Sequence, residues 1–176
     1  LEEKHAVDIN LEAPEKKIYK ENEFNDPKIY FTHYDMQQVE LYLLAPDNQF
    51  DPKYMAASML FNEYFGSGLS SIVFQEIREK KALAYSAYAW YSNARNIDEN
   101  NYLYGYIGTQ HDKLKDAVGT MFEILNEMPE ASLQFEGAKQ AVMKKIATSR
   151  KVGPSIYWEY EGAQKRGLDY DINNKI

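Results

Sequence analysis

The chain has 176 residues, 44% of them hydrophobic and 27% charged, with a formal net charge of −7 and no cysteine. That length suits one domain with a sizeable core, and the acidic balance argues against a nucleic-acid backbone or an anionic membrane surface as partner. Disulfides and thiolate metal sites are excluded, and no apolar run approaches the ~20 residues of a membrane span.

Residues 1–26 are largely charged and carry Pro14, so they read as a linker or lead-in to a single domain over 27–176. The opening LEEKHAVDINLEAPEKK is too charged for a signal peptide. KIYFTHY (28–34) and QQVELYLLAP (37–46) alternate apolar and polar residues and predict two strands, joined as a hairpin around Asp35 and Met36. Asp51-Pro52 then suits a helix start, and Met55, Met59, Leu60 and Tyr64 give its stripe. Gly66 and Gly68 break that helix. Ser70 or Ser71 caps a second one carrying Val73, Phe74 and Ile77, which ends among Glu79, Lys80 and Lys81.

LAYSAYAWYS (83–92) and YLYGYIGTQ (102–110) predict two more strands around the polar loop NARNIDENN, with Gly105 and Gly108 marking a bulge or a close backbone approach. Three helical runs follow. One runs from Leu114 to Pro129, one is carried by Phe135, Ala138, Val142 and Ile146, and one extends from Gly153-Pro154 to near Gly167. Paired strands between helix pairs predict an α+β domain, an antiparallel β-sheet with several helices packed on one face. The chain stops at NNKI without a closing element and reads as a segment of a longer protein.

The chemistry is quiet. His5, His33 and His111 have no second histidine three or four positions away, and His33 with Asp35 lacks a third ligand. There is no GxSxG elbow, and no Lys-Ser/Thr follows the glycines as a phosphate loop requires. Glu76 and Glu79 read as a solvated helix face. The 15 tyrosines suit half-buried strands, whose rings pack while their hydroxyls stay wet. A sugar- or peptide-stacking surface is the competing reading, carried by Tyr85, Tyr88, Trp90, Tyr91, Tyr102, Tyr104 and Tyr106, and it fails if these are mostly buried between sheet and helices.

One stretch is more telling. FNEYFGSGLSSIVFQEIREKKALAYSAYAWYS (61–92) resembles the signature of the insulinase/pitrilysin family of zinc metallopeptidases, specifically the half-domain that follows the zinc-binding half. The matching residues include Gly66, Gly68, Ser70, Ser71, the Phe74-Gln75-Glu76 run, Arg78, Glu79, Lys80 and Leu83-Ala84-Tyr85-Ser86. QQVELYLLAP resembles the first core strand of such domains, and GLDYD at 167–171 fits the same layout, so the likeness spans roughly 27–171. Two positions depart from the pattern. Ile72 stands where many members have Arg, and Ala82 where many have Gly, which fits the turn only if the Ala82 backbone avoids positive φ.

The family's zinc signature, His-x-x-Glu-His, is missing from the chain. The resemblance therefore implies a zinc-free domain of a metalloendopeptidase that holds no cofactor itself, with zinc in a partner half on the same or another chain. It also implies that Arg78 and Tyr85, seven positions apart, face bound peptide across the enclosed chamber. Separately, a bacterial parent with further domains on one polypeptide is expected, its compartment, cytoplasmic or periplasmic, not given by the sequence. The same resemblance allows a non-catalytic structural or assembly domain.

Overall fold

The computed structural model describes residues 26–171 together with Glu15 and Asn173. His5 lies outside the described residues. The chain divides into two units, residues 1–34 and 35–176. In the first, the described residues 26–34 form no helix or strand, and Ile29, Tyr30 and Phe31 are exposed. The expected strand at 28–34 and its hairpin to 37–46 are therefore not formed. Alternation supplies a face but not a partner, and the ladder of the next strand runs to a different segment.

The second unit is built on a three-stranded antiparallel sheet in the order β1-β3-β2, from β1 (Gln38–Gln49), β2 (Ser86–Ser92) and β3 (Asn100–Gln110). Cross-strand rows such as Leu43–Gly105–Ala89 and Leu41–Ile107–Ala87 face the helices. The rows Tyr42–Tyr106–Tyr88 and Leu44–Tyr104–Trp90 lie on the other face. Gly105 sits in regular register with its Cα close to the Leu43 side chain, so the close approach is present and the bulge is not; the register break lies between Pro46 and Gln49.

Asp51 accepts from the Lys53 amide at 3.0 Å and opens a short 3₁₀ turn at Pro52, from which α1 (Met55–Phe61) continues. The helix then widens into a π-type stretch, Asn62–Gly66. A second segment, Phe74–Lys80, is also π-helical, a rare geometry that recurs at functional sites. α2 (Leu114–Asn126), α3 (Ser132–Thr148) and α4 (Pro154–Lys165) follow. Phe65, Val73, Ile77, Ile107 and Met121 are fully buried and join sheet to helices in one core.

Close backbone contacts lock this layer. A Cβ on Gly66 would lie 2.2 Å from the Ala89 carbonyl oxygen, so only glycine lets the π stretch lie against β2. Buried Asn62 donates to the Tyr91 carbonyl (2.9 Å) and accepts from its amide (2.7 Å), which satisfies both groups on the edge of β2. Asn101 does the same for the loop, accepting from the Ala94 amide and donating to Asn48 and Gln49 carbonyls.

Candidate functional site

The second helical segment starts at Ser71, which is fully buried. Its hydroxyl donates to the Gly68 carbonyl at 2.9 Å and accepts from the Phe74 amide at 3.3 Å, so Ser71 rather than Ser70 is the cap. Gly68, at φ 102°, supplies the left-handed residue before it. Val73 and Ile77 anchor the segment in the core, which leaves Arg78 half exposed in the last turn. The Arg78 guanidinium lies 4.8 Å over the Phe74 ring and its Nε is 3.7 Å from Glu79.

The chain then reverses through Lys81 and Ala82. Ala82 has φ 47°, so the expectation that it avoids the left-handed region is corrected. The helix-to-strand reversal requires that conformation, and here alanine adopts it at a steric cost. Four hydrogen bonds hold the corner. The Leu83 amide donates to Ile77 (2.9 Å), the Tyr85 amide to Gly108 (2.9 Å), the Thr109 hydroxyl to Leu83, and Lys113 Nζ to Ala82 (3.0 Å).

This corner brings Arg78 and Tyr85 into the lining of one pocket of about 270 Å³, with Gln38, Thr109, Gln110 and Lys113. Tyr85 is 78% exposed, and its hydroxyl makes no hydrogen bond among the described residues. A larger cavity of about 420 Å³ lies between Tyr64 and the connection from α2 to α3. The Tyr64 hydroxyl there is already bonded to the Pro129 and Ala131 backbone, and Glu130, Ser132 and Glu136 are the other polar side chains of the cavity lining.

The described residues do not fit a zinc ion. Among the described residues, no three His, Cys, Asp or Glu side chains gather as a ligand set, and neither His33 with Asp35 nor His111 belongs to one. The aromatic residues divide. Tyr88, Trp90 and Tyr104 are exposed on the open sheet face, Tyr102 and Tyr106 are half-buried beside them, and Tyr88 stacks on Tyr106 at 5.0 Å. Tyr91 lies on the helix side and donates to Asp47 at 2.6 Å.

Residues 2–142 match the family model described as the peptidase M16 inactive domain. The chain belongs to the peptidase M16 family. It is a domain of the C-terminal, non-zinc-binding type, as the insulinase/pitrilysin resemblance implied. A crystal structure of a peptidase M16 inactive domain from Pseudomonas fluorescens superimposes with a TM-score of 0.52 at 20% identity, over 81% of this chain and 37% of that one. The likeness is one of fold, and this chain spans under two-fifths of the length of that structure. No curated protein matches.

Within the M16 frame, the departure at Ile72 is a packing choice, because the side chain is 2% exposed in the core. Sequence reasoning singled out Arg78 and Tyr85, which line this pocket, and did not single out Gln38, Thr109, Gln110 and Lys113, which line it with them. These reach the pocket from β1, from the end of β3 and from the turn into α2, so no local motif announces them.

Proposed function

We propose that this M16 inactive domain is the zinc-free half of a zinc-dependent metalloendopeptidase. It closes the peptide chamber against a zinc-bearing half and presents Arg78 and Tyr85 to the bound peptide. The observation that carries this reading is the shared pocket, which the exposed Tyr85 and the half-exposed Arg78 both line beside a hydrogen-bonded corner. The Tyr85 hydroxyl donates a hydrogen bond to the oxygen that gains charge on the scissile carbonyl. The Arg78 guanidinium holds a neighbouring peptide carbonyl by directional N–H bonds. The metal and the general base belong to the other half, and the present residues supply binding and charge stabilisation only.

The test is to make Arg78→Ala and Tyr85→Phe in the full-length protein, or in this chain combined with its zinc-bearing half. Each is expected to lower kcat/KM by ~2–4 kcal/mol of transition-state stabilisation. Unchanged values in both variants reject the role.

A structural or assembly domain is the second reading. It is favoured by the contacts of Arg78 with Phe74 and Glu79 on its own helix, which need no substrate. It predicts a neighbouring half without His-x-x-Glu-His, so the sequence of that half separates the two readings.

A further inference from the structure

The pocket at the corner has an unusual charge balance. Arg78 and Lys113 line it and no carboxylate does, in a chain whose net charge is −7. The neighbouring lysines are already engaged, Lys80 with Glu76 at 2.6 Å and Lys81 with Glu123 at 3.3 Å. Lys113 is different. It is half-buried, its ammonium donates to the Ala82 carbonyl at 3.0 Å, and among the described residues it has no ion-pair partner. An ammonium carries three donors, so two are unused within the described chain. Arg78 is only loosely compensated, with Glu79 at 3.7 Å and both side chains about half exposed.

We propose that Lys113, together with Arg78, makes this pocket a carboxylate-recognition subsite, selecting peptides that place a negative charge there. The charge comes from the C-terminal carboxylate of the peptide or from an Asp or Glu side chain, which offer the same two oxygens to the same donors. This inference rests on the reading that a peptide is held at the corner. Lys113 is the specificity-determining member. Its anchoring to Ala82 holds the ammonium at the pocket wall, and a cationic peptide residue at that place meets two like charges.

The experiment uses short, N-terminally fluorescent peptides of one sequence with the full-length protein, under zinc chelation so that no cleavage intervenes. Four forms are compared by anisotropy: C-terminal acid, C-terminal amide, amide with an internal Glu, and amide with an internal Lys. At low ionic strength one or both carboxylate-bearing forms are expected to bind about tenfold tighter than the plain amide, with the gap closing toward ~1 M salt. Lys113→Gln is expected to erase the gap and Lys113→Arg to keep it, and their circular dichroism spectra check folding. Preference for the acid form alone assigns the chain end as ligand, and preference for the Glu form alone assigns a side chain. Equal binding of all four forms overturns the carboxylate subsite and leaves the peptide-binding reading standing. Binding of none overturns both.

Discussion

Replacing Ala82 by glycine is expected to stabilise the chain. Ala82 is the one described residue other than glycine with positive φ, at 47°. Holding an L-residue with a Cβ in that region costs about 1–2 kcal/mol. Glycine removes the clash but gains freedom in the unfolded chain, which offsets about 0.4–1 kcal/mol. The methyl is exposed and the corner's bond from Lys113 goes to the Ala82 backbone carbonyl, so the substitution loses little packing and no hydrogen bond. The net gain is about 0.5–1 kcal/mol, or a rise in Tm of roughly 1–4 °C for a chain of this size. The assay is thermal unfolding by circular dichroism with a parallel urea melt, in which the midpoint rises and the slope is unchanged. The mirror experiment is Gly68→Ala. At φ 102°, with nothing within 4 Å of the added Cβ, that change isolates the backbone cost and is expected to destabilise. A lower Tm for Ala82→Gly refutes the claim that backbone strain governs this corner, and no loss for Gly68→Ala refutes the same backbone cost in the loop before the second helical segment.

Other outcomes follow from the same contacts. Gly66→Ala pushes a Cβ to 2.2 Å from the Ala89 carbonyl oxygen, and because backbone opposes backbone it is expected to cost about 3 kcal/mol, read as a fall in the urea midpoint. Asn62→Ala leaves both Tyr91 backbone groups without their partner and is expected to cost about 2–3 kcal/mol, with faster hydrogen exchange at the Tyr91 amide. Tyr91 is pushed up to about 12 by burial first and then by its bond to the Asp47 carboxylate. Its folded value lies above the unfolded one, so the associated stability is complete below about pH 10 and is lost as pH rises toward about 12. Phenolate absorbance should show this tyrosine titrating late, and Asp47→Asn should bring it earlier.

Much of the fold was legible because its signals are local. Asp51-Pro52, the glycines at 66 and 68, and the strand runs read at 83–92 and 102–110 each act within a few residues, and the elements lie there, with β2 starting three residues later and β3 two residues earlier than read. The failures are non-local. KIYFTHY alternates well, but a strand exists only with a hydrogen-bonded neighbour, and alternation cannot name one. The run from Gly153-Pro154 to near Gly167 was readable as a helix, yet Ile156, Tyr157, Trp158 and Tyr160 are exposed there, because a helical run does not say which face meets a core. The left-handed Ala82 was hidden for another reason. Alanine disfavours that conformation, and the tertiary reversal overrides the preference.

The candidate site follows the same division. Arg78 and Tyr85 lie on one continuous motif, so their spacing was readable, whereas Lys113 and Gln38 are brought to them by the strand order β1-β3-β2. Because β3 is central, its C-terminal end fixes three parts of the pocket at once. Gly108 accepts from the Tyr85 amide, Thr109 bonds the Leu83 carbonyl, and the turn after Gln110 delivers Lys113. Helix packing on the opposite flank, through Ile77 and Val73, sets Arg78 independently. Two rigid elements thus converge on a corner whose backbone alone is strained. Relieving that strain at Ala82 should change stability far more than it changes the spacing of the Arg78 and Tyr85 backbones, because both are held by backbone hydrogen bonds and by core packing outside the strained residue.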